Sequence, residues 1–581
     1  MTTEPRSSAS RQPSRHRGGR VLVAVVGAVA VLVGGWLALL PFASLALLLL
    51  LLLLGLLVAA ASELVDLPGP PLLRRLALAR AGVYVLGAVA LVLWTGLGVR
   101  VAIVVIGVTL LVGGVLEVVG ARREQGVERW NAVLGGASSA LFGLLALAWP
   151  DISVIAVGVL TGVRLVVLGA RLLWRAVRPA ATGSGRWRPW LRLVGNVAAV
   201  LVAGLLALVS LSLNRAAPQP DSFYTAPSSV PAQPGQLLRS EAYTTKIPAG
   251  AQAWRILYTT TRDEGVPAVA SALVVVPEQR SGPLPVIAWA HGTTGAAPGC
   301  APTVIDPFEA GAFFLLDRVL SNGWGFVGTD YVGLGTAGPH PYLIGQGEGR
   351  SVLDAVRAAH QLSEAGLGEQ TVVWGHSQGG HAALWTGILA PTYAPDVDLV
   401  GVAALAPASN LPALVDHLPE VTGGELFASY VVDAYTRRYP DVTYREYVRP
   451  QAEPVVREMA KRCLAEPSTL VSVATVLSLD SPVWRGDPNR GPLAARLREN
   501  VPTGRIEAPL LIGQGADDSL VDPRAQDAYV RDRCAAGQQV DYRVYPGRDH
   551  VPLVEPDSPA VPELLAWTKA RLAGDPPKNT C

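Results

Sequence analysis

Thr371-Val372-Val373-Trp374-Gly375-His376-Ser377-Gln378-Gly379-Gly380-His381 decides the fold of the C-terminal half of this 581-residue chain. Thr371–Trp374 is a short apolar run of strand character, and Ala382–Leu389 continues with helical spacing. Between them Gly375 to Gly379 fits Gly-x-Ser-x-Gly. A strand that turns sharply into a helix forces the central serine into a strained backbone, and glycines two residues to either side remove side chains that would collide there. The context predicts Ser377 as a nucleophile raised above a sheet edge, with the amide of Gln378 facing the oxyanion that would develop beside it. A chance match in a surface loop would lack the flanking strand and helix.

The surrounding sequence supplies the sheet. Ala268–Val276, Pro285–Ala290, Gly325–Thr329, Leu399–Ala406, Pro509–Ile512 and Val540–Val544 are further strand candidates, and Val352–Gln361 has helical spacing. This alternation predicts a mostly parallel sheet with helices on both faces. Such a fold orders its groups as serine, then acid, then histidine. Pro509–Val521 reads as a strand followed by an acidic turn, and Asp518 has the spacing expected of the acid, with Asp517 as the alternative. His550 follows the last strand, and no other histidine lies beyond Asp518. His376 is too close to Ser377 along a tight turn to serve as its base, and His381 is expected to be structural. The loop Trp289-Ala290-His291-Gly292-Thr293-Thr294-Gly295 should carry the second oxyanion donor, the amide of Thr293 or of Gly292, with His291 bracing the loop.

These residues together carry a resemblance. His291-Gly292-Thr293-Thr294-Gly295 with Cys300-Ala301-Pro302, Asp330-Tyr331, Gly333-Leu334-Gly335, Asp354-Ala355, Arg357-Ala358 and Gly375 to His381 resembles the secretory lipase family, over about residues 235–581. The resemblance implies an α/β-hydrolase that cleaves carboxylic esters, often triacylglycerols, with a helical cap here spanning about 407–500. It also implies disulfides Cys300–Cys463 and Cys534–Cys581. Cysteine count alone leaves two disulfides and four free thiols equally open.

The first third is different in kind. Half of all residues are hydrophobic and mean hydropathy is +0.34, with the apolar excess concentrated before residue 214. Runs near 21–41, 43–61, 81–98, 101–120, 131–149, 152–173 and 191–213 are each long enough to span a bilayer. Arginines cluster before the first run, at Arg74, Arg75 and Arg80, at Arg122, Arg123 and Arg129, and from Arg171 to Arg192. Alternate connections are nearly bare. The positive-inside pattern predicts residues 1–20 as a cytoplasmic tail, 21–213 as seven spans, 214–236 as an exposed extracytoplasmic tether and 237–581 as the extracytoplasmic hydrolase domain. Gly113, Gly120, Ala121 and Arg122 recur as Gly162, Gly169, Ala170 and Arg171, and this repeat resembles HdeD-type membrane proteins over about 80–180. Glu117 and Arg164 fall inside spans and predict a structural pair or snorkelling side chains rather than a transport site.

A net charge of +2 gives no reason to expect a nucleic-acid partner. No His, Cys or carboxylate cluster has metal-ligand spacing, so neither metal nor organic cofactor is expected. The expected partner is a lipid or ester substrate beside a cell membrane. An acyltransferase or peptidase on the same triad, or a membrane sensor or scaffold with a vestigial hydrolase, are the competing readings.

Overall fold

The computed structural model describes residues 15–39, 71–93, 99–149 and 188–581 except 263–264, 306–311, 478, 480 and 481, with scattered helical positions in 50–64 and 166–173. The chain forms two units, one of residues 1–212 together with 450–454 and 477–481, the other of the remainder from Leu213.

In the first unit the apolar runs are helical: α1 (Arg15–Leu39), α2 (Pro71–Leu93), α3 (Val99–Ala121), α4 (Gly126–Ala148) and α5 (Arg188–Ala216). Four of these segments, Arg74–Val92, Ile103–Ala121, Gly126–Ala148 and Arg192–Leu213, are long and apolar enough to cross a bilayer. The protein is therefore polytopic. Most of the expected second and sixth spans lies outside the described residues, as does Arg164. The expected third span is corrected: the helix starts at Pro71, so Arg74, Arg75 and Arg80 belong to it, and Arg80 pairs with Glu63 at 2.7 Å. Small residues let backbones meet. A side chain on Gly114 would come within 2.4 Å of the Gly136 carbonyl, and one on Gly143 within 2.6 Å of that of Gly107. Those two glycine pairs, each seven residues apart, set the close packing of α3 on α4. Glu117 on α3 lies against Gly135 of α4.

The second unit is a nine-stranded sheet in the order β1-β2-β3-β5-β4-β6-β7-β8-β9. The strands are β1 (Leu237–Ala242), β2 (Ala251–Thr261), β3 (Pro267–Pro277), β4 (Leu284–Ala290), β5 (Gly325–Thr329), β6 (Leu367–His376), β7 (Asp398–Leu405), β8 (Leu510–Gly515) and β9 (Asp541–Tyr545). Pairings from β1 to β5 are antiparallel, and those from β5 to β9 are parallel. Helices α6 (Leu316–Ser321), α7 (Gly345–His360), α8 (Gln378–Tyr393), α15 (Pro523–Ala535) and α16 (Ala560–Leu572) flank the sheet. Between β7 and β8 the chain inserts α9 (Leu411–His417), α10 (Gly424–Arg438), α11 (Tyr444–Tyr447), α12 (Glu453–Met459), α13 (Thr469–Leu477) and α14 (Gly491–Glu499). This insertion occupies the stretch expected to be the cap.

The parallel strands are apolar on both sides because both faces are covered. Along β4, Val286 and Ala288 pack towards α7 and α8, while Ile287 and Trp289 pack towards α6 and α16. The indoles are hydrogen-bonded as burial requires: Trp374 Nε1 donates to Thr568 on α16 at 3.0 Å, and Trp289 Nε1 to the Ala312 carbonyl at 2.8 Å.

Two expectations change here. β1 and β2 extend the sheet antiparallel where no strand was expected. The segment 214–236 is not a free tether: Phe223 and Tyr224 are buried, the Tyr224 hydroxyl donates to Thr303 Oγ1 at 2.9 Å, and Asp221 pairs with Arg255 at 2.9 Å. Two aromatic side chains supply the burial that its Pro/Ser-rich composition conceals.

Candidate active site

The turn from β6 into α8 has the strain that its sequence demands. Ser377 sits at φ 58°, ψ −119°, a conformation that a non-glycine residue holds only when its surroundings enforce it. Those surroundings are close. A side chain on Gly375 would meet the Gly379 carbonyl at 2.0 Å, and one on Gly379 would meet the Ala290 carbonyl at 1.9 Å. The Ser377 amide donates to the Leu405 carbonyl at 3.0 Å, and its own carbonyl accepts from His381 N at 3.1 Å and Ala408 N at 3.2 Å. Gln378 is the first residue of α8, so its amide lacks an intrahelical acceptor and lies at the positive end of the helix.

Asp518 lies just after β8 and His550 just after β9, at the same sheet edge as the serine turn. Asp518 Oδ2 accepts from His550 Nδ1 at 2.9 Å, and both residues are buried. The rest of the carboxylate is occupied: Oδ1 accepts from Leu520 N at 3.0 Å and Val521 N at 2.8 Å, and Oδ2 from Gln514 Nε2 at 2.9 Å. With Nδ1 donating to the carboxylate, Nε2 of a neutral His550 is left as an acceptor. Asp517 is exposed and Asp518 is the residue that meets His550. No hydrogen bond joins Ser377 Oγ to His550 in this structure. Such bonds are often long before substrate arrives.

Histidine 376 braces the base. Its Nε2 bonds the His550 carbonyl at 3.0 Å, and the two rings lie 4.7 Å apart. Burial, with repulsion from His550, pushes its pKa down to about 3, so the imidazole is neutral. Asp549 clamps the acid loop to the base loop, accepting from Ser519 N at 2.8 Å and His550 N at 2.7 Å. That role was not anticipated from the sequence.

The loop after β4 runs against the serine turn: a side chain on Gly292 would lie 3.8 Å from Ser377 Cβ. Thr293 Oγ1 bonds the Tyr342 hydroxyl at 3.0 Å. Gly292 thus lies beside the serine, and Thr293 is the next residue of the same loop. His291 is buried, its Nδ1 2.6 Å from the Gly292 carbonyl, and burial lowers its pKa to about 4. It braces the loop, as expected.

A buried polar cluster beneath the turn escaped the sequence reading. Glu348 on α7 accepts from Gln378 Nε2 at 2.7 Å and from Leu343 N at 3.0 Å through Oε1, and its Oε2 lies 2.9 Å from His381 Nδ1. His381 Nε2 bonds the Asn500 carbonyl at 2.8 Å. A backbone carbonyl only accepts, so Nε2 carries a proton, and one further proton lies between His381 and Glu348. His340, its pKa pushed down to about 3 chiefly by burial, accepts from Gln378 Nε2 at 2.9 Å. The only hint in the sequence is a lone carboxylate inside the glycine-rich first turns of α7.

Both disulfides are present, Cys300–Cys463 and Cys534–Cys581. Among the described residues, no group of three or more His, Cys, Asp or Glu side chains converges as a metal-binding set.

Comparison with known proteins gives this geometry a setting. A family described as Secretory lipase matches residues 310–580. A family described as Short repeat of unknown function matches twice in the membrane half, at 79–144 and 134–209, in line with an internal repeat there. The HdeD-type resemblance finds no support beyond that repeat. Lipase A of Moesziomyces aphidis is 25% identical over 66% of this chain and 87% of its own length. A protein of Mycobacterium tuberculosis (strain CDC 1551 / Oshkosh) named probable inactive lipase is 28% identical over 62% of this chain and 83% of its own. The crystal structure of Candida antarctica lipase A in its closed state shares the fold, with TM-score 0.54 at 22% identity, over 63% of this chain and 89% of that one. The chain is a membrane protein carrying an α/β-hydrolase fold, related to lipase and esterase families whose general chemistry is ester hydrolysis.

Proposed function

We propose that this protein is a membrane-anchored serine ester hydrolase, acting on acylglycerol-type carboxylic esters through an acyl-enzyme, with its hydrolase domain outside the cytoplasm. The observation that carries the reading is the buried Asp518–His550 hydrogen bond of 2.9 Å at the sheet edge where Ser377 is raised. His550 Nε2 takes the Ser377 proton as Oγ attacks the ester carbonyl. The amides of Gln378 and Thr293 stabilise the tetrahedral oxyanion. His550 then protonates the leaving alcohol, and water repeats the cycle on the acyl-enzyme. Asp518 holds the tautomer and stabilises the imidazolium. The insertion 407–500 serves as the cap, so acyl-chain preference is set there.

The extracytoplasmic assignment is supported by the arginine clusters of alternate connections and by both disulfides, which persist in oxidising compartments. A reporter fused after Asn214 should be active only outside the cytoplasm. Activity is tested with the full chain on p-nitrophenyl esters of graded acyl length: hydrolysis by the wild type and loss in Ser377→Ala is expected, and equal rates for the two would overturn the reading. The resemblance to a protein named probable inactive lipase favours one second reading, a folded domain without turnover. The same assay separates the two.

A further inference from the structure

Helix α13 is built inside out. Its polar residues Ser472 and Thr475 are buried: Ser472 Oγ accepts from Arg462 Nη1 at 3.2 Å, and the Thr475 hydroxyl donates to the Val471 carbonyl at 2.6 Å. Its apolar residues face outward. Leu470, Val473 and Leu477 are 75%, 45% and 72% exposed. Their spacing of three and then four residues places them on one stripe. No charged residue occurs from Thr469 to Leu477. Among the described residues after 216, the other exposed large apolar side chains, Val266, Val544 and Val551, lie outside any helix and form no such stripe.

The span in α5 ends at Leu213, and Pro218 already packs on the hydrolase domain, its carbonyl 2.1 Å from where a side chain on Gly299 would begin. Five residues reach at most about 18 Å. The neighbour of Gly299 is Cys300, disulfide-bonded to Cys463. From Cys463 two contacts lead on. Leu464 N donates to the Thr294 carbonyl at 2.8 Å, beside Thr293, and the Thr469 hydroxyl at the start of α13 donates to the Cys463 carbonyl. The inside-out helix is thus linked on one side to Pro218, five residues after the span, and on the other to the loop beside Ser377.

We propose that α13 lies in the membrane interface, with Leu470, Val473 and Leu477 immersed in the leaflet at which α5 ends, so that the site draws acyl esters resident in that leaflet. An uncharged apolar helix face held close to a bilayer partitions into the boundary between headgroups and acyl chains. The docking stands on geometry alone. The substrate clause rests on the ester-hydrolase reading above.

The test uses the full chain in phosphatidylcholine nanodiscs containing a trace of phosphatidylcholine with a diazirine on its acyl chain. Irradiation and peptide mapping should find adducts on 469–477 as well as on the spans. In Leu470→Asp/Val473→Asp/Leu477→Asp the adducts on α13 should fall about tenfold while those on 192–213 persist. Hydrolysis of a long-chain ester embedded in the bilayer should fall about tenfold, and that of a short soluble ester should stay within about twofold. The milder Leu470→Gln/Leu477→Gln variant gives the same contrast if the triple variant does not fold. Wild-type adducts confined to the spans would overturn the docking, as would unchanged hydrolysis of the embedded ester in folded variants. Adducts on α13 in a wild type that cleaves neither ester would leave the docking standing and sink the hydrolase reading.

Discussion

Glu348 Oε1 accepts a hydrogen bond from Gln378 Nε2 at 2.7 Å, and the same oxygen accepts from Leu343 N at 3.0 Å. Leu343 follows Tyr342, whose hydroxyl bonds Thr293. One buried carboxylate on α7 therefore ties together the residues whose amides are the two candidate oxyanion donors. It touches no reacting atom, and its role is positioning.

Glu348→Ala leaves Gln378 Nε2 and His381 Nδ1 without this partner in a buried site. Stability should fall by about 3 kcal/mol. Misplaced oxyanion donors should also lower kcat about 10- to 100-fold with KM nearly unchanged, counted per fluorophosphonate-reactive site. A purely structural role would reduce the number of reactive sites and leave kcat per site intact. Glu348→Gln, which keeps an acceptor for Leu343 N and Gln378 Nε2, should recover part of the loss.

Asp518 and Asp517 are adjacent in sequence but differ in setting, one buried against His550 and the other exposed. Asp518→Asn should lower kcat about 10³- to 10⁴-fold by losing the carboxylate that holds the His550 tautomer. Asp517→Asn should stay within about twofold. Steady-state hydrolysis of a short ester by the two variants checks the assignment, and the reverse ranking would refute it.

Acid should destabilise the hydrolase domain. Burial lowers the pKa of His291 to about 4 and of His340 and His376 to about 3, so the stability they contribute is present above 6.5 and is lost as pH falls towards those values. Burial raises Asp330 and Asp354 to about 6, and their contribution runs the other way, present below 3.8 and lost as pH rises through 6. Burial also raises Glu425 and Glu466, which oppose the histidines in the same way, so the three histidines leave a net loss of at most about 1–2 kcal/mol per pH unit between pH 6 and 5. The apparent Tm of the solubilised full chain should fall across that range, and His340→Gln should flatten the slope by about one proton's worth. A Tm that rises on acidification would contradict the balance.

The disulfides close loops of 163 and 47 residues. By loop entropy each stabilises by about 4–5 kcal/mol, so the two double-serine variants should lose similar amounts. Activity should separate them. Cys300→Ser/Cys463→Ser frees the segment bonded to Thr294 and Gly295 and should lower kcat per reactive site several-fold. Cys534→Ser/Cys581→Ser, at the C-terminal tail, should not.

Local sequence carried what depends on local chemistry. The serine turn was legible because Gly375 and Gly379 are demanded by carbonyls 2.0 and 1.9 Å from their missing side chains. Asp518 and His550 were legible from chain order after apolar strands, and β5 had the expected bounds. What escaped is set by distant contacts. Glu348, Tyr342 and His340 gain their partners from α8 and the β4 loop, which no spacing reveals. The burial of Phe223 and Tyr224 depends on Thr303 and Arg255, far along the chain. β1 and β2 pair antiparallel at the end of a sheet whose parallel strands dominated the pattern. The membrane half was legible as apolar helices but not at their starts, because α2 takes its arginines into the helix.

The most direct measurement is active-site labelling of the full chain with a fluorophosphonate, followed by peptide mapping. A single adduct on Ser377 is expected, absent in Ser377→Ala and slowed at least about 10³-fold in His550→Ala and Asp518→Asn of unchanged fold. Folded wild-type protein that takes no label, or takes it on another residue, would contradict the account.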